Sequence, residues 1–153
     1  MNSNPIRITE TLRGRKFLFH TRPGVFSKGN VDLGSKLLIE TMEIKSGDQI
    51  LDLGCGYGPI GIVAASLTNN SRAVLIDANI RAVRLSEENI KLNQIANAKA
   101  LLSDGVEAVA NQKFTVILSN PPASSGLEIF EEFTKDAFKL LLDHGKLYFV
   151  TQS

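Results

Sequence analysis

Short apolar segments alternate with helical segments from residue 48 onward. Five of them predict strands, at residues 49–53, 73–76, 98–102, 114–118 and 147–150. The segments between them predict helices at residues 58–67 and 79–93, a helical turn near 106–110, and a long helix from the capping pattern at 125–128 to His144-Gly145. Apolar strands that alternate with amphipathic helices favour a parallel sheet covered on both faces. The sequence therefore predicts a doubly wound α/β domain with a mostly parallel, Rossmann-like sheet.

A basic leader precedes this region. Residues 6–10 and 15–21 partly alternate around Leu12-Arg13-Gly14 and predict a short hairpin. Asp32 is a suitable N-cap for a helix to about Met42, whose predicted apolar face consists of Leu33, Leu37, Leu38 and Met42. Residues 1–36 hold seven Lys or Arg against two acidic residues, a balance of +5, and the rest of the chain holds ten against fourteen, a balance of −4. The leader is a candidate contact for a polyanion, and a solvated surface segment fits the charge equally well.

Length and composition limit the number of domains and the compartment. A chain of 153 residues with 43% hydrophobic and 22% charged residues predicts a single folded domain over residues 1–153, with a ligand-binding core at 48–153. No apolar run is long enough to cross a bilayer, and residues 1–10 lack the apolar segment of a secretory signal. A single cysteine cannot form an internal disulfide. These features predict a cytoplasmic protein.

Glycines at positions 54, 56, 58 and 61 lie between the first strand of the sheet and its helix. Glycine permits positive φ and allows a ligand to approach the bare backbone. Residues 56–61 match the G-x-G-x-x-G pattern, so a dinucleotide site is one interpretation. Asp52 favours another ligand, because a carboxylate there would repel a pyrophosphate but suits an ammonium and a sulfonium. The order Asp-x-Gly-x-Gly-x-Gly is that of S-adenosylmethionine (SAM) sites.

Acidic residues also end the next two strands. Asp77 follows the second strand, where a carboxylate can accept both hydroxyls of a ribose in NAD and SAM sites alike, or can cap the next helix. Asp104 follows the third strand, where it can accept from an adenine amino group or serve as a turn residue. Because ligands of such sheets bind at the carboxyl ends of the strands, both residues favour a nucleoside without identifying it.

Asn120-Pro121-Pro122 ends the fourth strand at the same edge of the sheet. The amide oxygen of Asn120 and the carbonyl of Pro121 can accept two hydrogen bonds from a substrate –NH₂, which directs the nitrogen lone pair toward a methyl donor. Rigid prolines hold such acceptors in place. No strong base is required, because the proton can leave after the nitrogen is methylated. The simpler interpretation is a strand stop, since proline cannot donate to a sheet ladder.

The motifs DLGCGYG at 52–58 and NPP at 120–122, together with residues 23–38 (PGVFSKGNVDLGSKLL), resemble one family. It comprises the class I SAM-dependent methyltransferases of the small-domain type, related to bacterial 16S rRNA guanine-N2 methyltransferases and their archaeal single-domain relatives. The resemblance implies three groups of site residues. The cofactor-binding group is Asp52, Gly54, Cys55, Gly56, Gly58, Asp77, Ala78, Asp104 and Asn120; the catalytic group is Asn120, Pro121 and Pro122; and the substrate-binding group is Phe26, Ser27 and Lys28.

The resemblance implies a SAM-dependent N-methyltransferase acting on an exocyclic amine of RNA through the basic leader, with rRNA guanine N2 as the favoured target. Protein glutamine and DNA adenine are alternative targets. An NAD(P)-dependent oxidoreductase and a non-catalytic RNA-binding module are the alternatives from other classes. No metal-ligand spacing is visible, and the oligomeric state is open.

The sequence departs from the family pattern at two places. Ala123 follows the prolines where many amino methyltransferases have Tyr or Phe to stack on a flipped base, so Phe26 is a candidate substitute. The family's sheet continues for two more strands beyond the one ending near Thr151. We therefore expect the C-terminal strands to be missing, with a truncated chain or a partner covering the exposed strand edge.

Overall fold

The computed structural model describes residues 4–25, 29–122 and 126–151. It begins with the predicted antiparallel hairpin, formed by β1 (Ile6–Leu12) and β2 (Arg15–Thr21). Arg13 and Gly14 join the strands with φ values of 54° and 78°, as in the two-residue turns whose twist matches that of paired strands. The Arg13 guanidinium donates to two backbone carbonyls at the end of the following helix, at 2.9 and 2.7 Å. The turn is therefore fastened to the body of the protein.

A parallel sheet forms the centre of the domain. Its five strands are β3 (Gln49–Leu53), β4 (Arg72–Asp77), β5 (Ala98–Leu102), β6 (Phe114–Ser119) and β7 (Leu141–Phe149), in the spatial order β5-β4-β3-β6-β7. The helices of the described ranges are α1 (Leu33–Thr41), α2 (Pro59–Ser66), α3 (Ile80–Leu92) and α4 (Gly126–Leu140), with a 3₁₀ turn at Glu107–Val109. The strand order reverses between β3 and β6, which is where sheets of this kind bind ligands. The predicted doubly wound α/β fold is confirmed.

Alternate strand residues pack into two cores on opposite faces of the sheet. Ile50 contributes to the core that also contains the hairpin and helices α1 to α3, whereas Leu51 and Leu53 contribute to the core closed by α4. In β6, Val116 and Leu118 belong to the first core and Ile117 to the second. Because successive strand residues point to opposite faces, Asp52 and Asn120 fall on the side covered by α1 to α3.

Two asparagines, one in α3 and one at its C-cap, attach the hairpin to the domain. Asn89 accepts from His20 N at 2.8 Å and donates to His20 O at 2.9 Å. One turn later, Asn93 accepts from Leu18 N at 3.1 Å and donates to Leu18 O at 2.8 Å. Side-chain amides at i and i+4 on a helix thus take the place of a neighbouring strand along the free edge of β2.

The apolar face of α1 differs from the prediction. Asp32 is the N-cap as expected and accepts from Ser35 N at 3.1 Å. Leu38 and Met42 are buried, but Leu33 is 84% exposed and Leu37 is 66% exposed. The helix turns Ser35, Leu38 and Ile39 toward the sheet instead. The prediction that Leu33 and Leu37 belong to the buried face was wrong, because the helix lies with a small polar residue against the sheet.

The end of the last helix also differs. The sequence predicted that His144-Gly145 ends it, but α4 stops at Leu140, and Leu141 already pairs with Phe114. The register shifts between this pair and Val116–Lys146, and His144 has a φ of 66° in the resulting irregularity. The predicted helix end was wrong because residues 141–142 are apolar, so in the sequence they resemble a continuing helix. The irregularity that separates them from the rest of the strand has no clear signal in the sequence.

We predict that Gly61→Ala destabilises the protein by about 1–3 kcal/mol, as overpacking of a filled core does. A Cβ on Gly61 would lie 2.5 Å from Leu75 Cγ and 2.9 Å from Asp52 Oδ2. Helix propensity alone predicts that Gly61→Ala stabilises the protein, because alanine in a helix interior is about 1 kcal/mol more favourable than glycine. Urea unfolding of the wild type and the variant separates the two outcomes. A stabilised Gly61→Ala protein would contradict the prediction.

Candidate functional site

A cavity of about 840 Å³ opens at the carboxyl ends of β3, β4 and β6. Its floor is the glycine loop after β3, and its walls come from the ends of β4 and β6, the segment after the hairpin, and α4. Among the lining residues are Pro23, Gly54, Cys55, Gly56, Asp77, Ala78, Ser103, Asn120, Pro122 and Phe133. The volume is within the range of about 300–1,000 Å³ that holds small-molecule ligands. The predicted glycine, Asp77 and Asn120 elements therefore meet at one site.

The glycine loop adopts a conformation that side chains would obstruct. Gly54, Gly56 and Gly58 have φ values of 76°, 58° and 100°, in the left-handed region that glycine enters without cost. The amides of Gly54 and Cys55 both donate to Ile76 O at 2.9 Å, which holds the loop against the end of β4. This arrangement exposes the loop backbone to the cavity, as a ligand that lies against it requires.

Asp77 lies at the cavity with both carboxylate oxygens engaged by backbone. Oδ2 accepts from Gly56 N at 2.9 Å and Oδ1 accepts from Asn79 N at 2.9 Å. A carboxylate can accept about four hydrogen bonds, so capacity remains for two ligand hydroxyls. The alternative role as a helix cap was wrong, because the Asn79 side chain caps α3 by accepting from Arg81 N.

Asp52 lies beneath the loop and not at the cavity surface. Its side chain is fully buried, and Oδ2 accepts from Gly61 N at 2.9 Å. Gly58, the N-cap of α2, has no side chain to accept from the first turn, so the Asp52 carboxylate satisfies one of the free N–H groups there. Oδ1 has no hydrogen-bond partner among the described residues. The structure therefore places Asp52 as the anchor of α2 and does not bring it into direct contact with the cavity.

Burial raises the pKa of Asp52 to about 7, with a further upward contribution from the negative charge of Asp77, against the lowering by the Gly61 N–H. The folded protein therefore retains the proton to a higher pH than the unfolded chain. We predict that its free energy of unfolding decreases as the pH rises from about 4 to about 7 because of this group, and that the Asp52 contribution is constant above that window.

Asp52→Asn removes this titration while keeping an oxygen for Gly61 N. Urea unfolding of both proteins at half-unit steps across about pH 4 to 8.5 isolates the effect, since the other titrating groups are shared. The unfolding free energy of Asp52→Asn minus that of the wild type should increase as the pH rises to about 7 and should then stay constant. A difference that is independent of pH would contradict the assigned pKa.

The remaining residues of the predicted cofactor group differ in placement. Cys55 and Ala78 line the cavity, whereas Asp104 is exposed and its neighbours Ser103 and Gly105 line the wall. Burial, followed by the charge of Asp52, raises the pKa of the Cys55 thiol well above its ordinary value. The thiol is therefore protonated and unsuited to act as a nucleophile, in agreement with its interpretation as a small loop residue.

Asn120 lies half-buried at the mouth of the cavity, with Pro122 beside it. Its Nδ2 donates to Asp32 Oδ2 at 3.0 Å and to Ser35 Oγ at 2.9 Å. Phe26, Ser27, Lys28 and Ala123, on which the substrate-binding predictions rest, are outside the described residues.

Asp32 and Ser35 are site residues that the sequence reasoning missed, because Asp32 was interpreted only as a helix cap. Gly34, in the first turn of α1, was a signal in the sequence, since a glycine inside a helix suggests that another part of the chain comes close to the helix backbone. A Cβ on Gly34 would lie 2.9 Å from Val150 Cγ1 and 3.3 Å from Asn120 Nδ2.

Residues 4–25, 29–122 and 126–151 contain no group of three or more His, Cys, Asp or Glu side chains placed to hold a metal ion. Within the same ranges, each helix is too short or too polar to cross a bilayer.

A comparison with family models decides the class of this fold. The model for "Methyltransferase small domain" matches residues 16–153, which is most of the chain. The chain belongs to this family. The predicted methyltransferase class is thereby confirmed, and the alternative of an NAD(P)-dependent oxidoreductase is excluded by it.

Curated relatives of this methyltransferase small domain include proteins with and without an assigned activity. The chain is 42% identical over 145 residues to the uncharacterized protein YbxB of Bacillus subtilis, covering 92% of this chain and 71% of the relative. It is 34% identical over 149 residues to the ribosomal RNA small subunit methyltransferase C of Pseudoalteromonas translucida, covering 95% of this chain and 43% of that protein. The chain thus spans less than half the length of the relative that has a named activity.

A solved structure shares the whole fold of this small domain. The 16S rRNA N2 G1207 methyltransferase (RsmC) of T. thermophilus, determined in complex with AdoMet and guanosine, has a TM-score of 0.88 and 29% sequence identity. The alignment covers 97% of this chain and 42% of that one. The predicted use of SAM is confirmed at the level of this family.

Proposed function

We propose that the domain transfers a methyl group from SAM to an exocyclic amine of RNA, with guanine N2 of ribosomal RNA as the favoured target. The named activities of the similar rRNA methyltransferases support this substrate class. The observation that carries the proposal is the placement of Asn120 at the mouth of a cavity floored by the glycine loop. A cytoplasmic location belongs to the same proposal, since an rRNA substrate requires access to ribosomal RNA.

The residues of the cavity fit the cofactor. Gly54 and Gly56 leave the loop backbone open to a ligand, whereas Gly58 is buried behind the loop against Ile62 and Ser86. Asp77 retains capacity for the two ribose hydroxyls. Phe133 and Ile129 of α4 add an apolar wall, which suits the face of a purine. Bound SAM would supply a methyl group on a positively charged sulfur, which makes that carbon electrophilic.

Asn120 and Pro121 would orient the amine of the substrate. The amide oxygen and the Pro121 carbonyl accept the two N–H groups, so the nitrogen lone pair is directed at the methyl carbon. Bound SAM would supply the methyl group, with the N–C bond forming as its C–S bond breaks, and the extra proton would leave to water afterwards. Acceptors held in place before the reaction stabilise the positive charge that develops on nitrogen. Positioning is sufficient for this chemistry, and no covalent intermediate is involved.

Only some of the basic side chains of the leader would be available to contact RNA. Arg13 is bonded to the end of α1, Lys36 pairs with Glu10 at 3.1 Å, and Arg15 donates to Asn93 O at 3.2 Å. A groove between the hairpin and the end of α3 has two further exposed basic side chains, Arg7 and Lys16. Such cations contact phosphates and position a nucleic acid without reading its sequence.

Transfer of a labelled methyl group from SAM to defined acceptors tests the proposal. Ribosomal RNA, other RNA, DNA and protein are offered separately, and nucleoside analysis of the labelled RNA identifies the methylated atom. Label in ribosomal RNA as N2-methylguanosine is the expected result. Label in DNA or protein alone would contradict the RNA assignment but keep the methyl-transfer chemistry. Saturable SAM binding without transfer to any acceptor would support the alternative of a non-catalytic module.

A further inference from the structure

Both amide hydrogens of Asn120 are already engaged inside the protein. One is donated to Asp32 Oδ2 at 3.0 Å and the other to Ser35 Oγ at 2.9 Å. The donor set of a primary amide is thereby used completely, since it has two N–H hydrogens. The amide oxygen is the remaining polar atom of the side chain, and no contact within the described ranges uses it.

Asp32 and Ser35 are compatible with only one orientation of the Asn120 amide. An ionised carboxylate is an acceptor only, so Asp32 requires the nitrogen of the amide and would repel its oxygen. Ser35 Oγ donates its own hydrogen to Asp32 Oδ1 at 2.8 Å, which leaves it as an acceptor toward Asn120. Rotation of the amide by 180° would place its oxygen against a carboxylate and against a hydroxyl oxygen whose hydrogen is committed.

We propose that Asp32 and Ser35 are positioning residues that hold the Asn120 amide oxygen toward the cavity, where it accepts from the amine of the substrate. The proposal rests on the proposed function for the identity of that substrate. It also accounts for the glycine at position 34, because the first turn of α1 must come close enough for two residues to reach Asn120. Both residues border the cavity, and in this proposal they act on the reaction through Asn120.

Asp32 also caps α1, so the test must separate the two roles. Asp32→Ser keeps a good N-cap but places no acceptor within reach of Asn120. We expect kcat to decrease by about 10- to 100-fold with little change in Tm. Ser35 Oγ, no longer committed to Asp32, can then donate to the amide oxygen and hold the amide in the flipped orientation, which leaves the productive one as a minor population. Ser35→Ala should show a smaller decrease of the same kind. Glu40→Gln, an exposed change on the same helix that faces the hairpin turn, is the control and should retain full activity.

A double-mutant cycle shows whether Asp32 acts through Asn120. In an Asn120→Ala background, Asp32→Ser should have an effect on kcat of less than about twofold, because its target is absent. Asp32→Asn should recover part of the activity, since an asparagine oxygen can still accept from the Asn120 amide. An undiminished kcat in Asp32→Ser, or equal effects in both backgrounds, would overturn the proposal.

An NMR measurement that does not depend on catalysis tests the positioning of Asn120 separately from the proposed function. The side-chain amide protons of Asn120, observed by NMR in ¹⁵N-labelled protein, should exchange slowly in the wild-type chain and rapidly in Asp32→Ser. If no acceptor is methylated but this difference is present, the positioning stands and the proposed function fails. Equal exchange in the two proteins would overturn the positioning whatever the activity.

Discussion

Asn120→Ala is expected to reduce kcat for methyl transfer by about 10²- to 10³-fold, the usual loss when one preorganised electrostatic partner of a transition state is removed. The variant loses the acceptor that would direct the amine and stabilise its developing charge. The Kd for SAM, measured by calorimetry, should change far less, because the glycine loop and Asp77 remain in place. Single-turnover transfer of labelled methyl to the RNA acceptor measures the chemical step itself.

Ser119→Ala is the matched control for this variant. Ser119 is the neighbouring residue of β6, is fully buried, and donates to Leu53 O at 2.8 Å on the other side of the strand. Its loss should lower stability without a comparable decrease of kcat, so it reports local damage to the strand. Activity of Asn120→Ala within about threefold of the wild type would contradict the role given to this amide. Equal losses of kcat in both variants would attribute the effect to the strand and not to the side chain.

Asn89→Ala is the stability change with the largest expected effect, about 3–5 kcal/mol. Asn89 is fully buried and accepts from His20 N, donates to His20 O, and donates to Tyr57 O at 2.8 Å. Removal of a partner leaves a buried polar group unsatisfied, which costs about 1–3 kcal/mol for each group. The higher helix propensity of alanine recovers only about 0.6 kcal/mol or less. Chemical unfolding without cofactor measures the difference.

The control for Asn89 lies on the exposed face of the same helix. Glu87→Ala removes a solvated side chain two residues earlier and should change stability by no more than about 0.5 kcal/mol. Limited proteolysis adds a second readout, because a hairpin that has lost its attachment should be cut near residues 13–14 before the central sheet is cut. A loss of less than about 1 kcal/mol in Asn89→Ala would contradict the assigned hydrogen bonds.

The strands were predictable because their signal is local. Residues 49–53 were predicted with their observed bounds, since a buried parallel strand is an apolar run that ends at polar residues or glycine. The bounds of residues 98–102 were also correct, although this edge strand contains Lys99 and buries only Ala100. The placement of Asp52 could also have been inferred from the sequence. A period of two puts it on the same face as Ile50, and its place within β3, before the glycine loop, puts it beneath α2 and not at the end of the strand.

The tertiary hydrogen bonds were not predictable from local patterns. Asn120 meets Asp32 across 88 residues, and Asn89 meets His20 across 69. The two prolines after Asn120 mark it as a candidate site residue, but nothing near either asparagine in the sequence identifies Asp32 or His20 as its partner. The face of α1 that packs on the sheet was equally hidden, because Ser35 is turned inward by its bonds to Asp32 and Asn120 and not by its hydrophobicity.

The asparagine pair on α3 has a consequence for how this chain behaves among copies of itself. The edge of a two-stranded sheet normally offers free N–H and C=O groups that can recruit a strand from another molecule. At positions 18 and 20 of β2 those groups are bonded to Asn93 and Asn89. A strand from another molecule would have to displace both side chains before it could pair with β2 at these positions. The same amides that fasten the hairpin therefore also block strand pairing at this edge of β2.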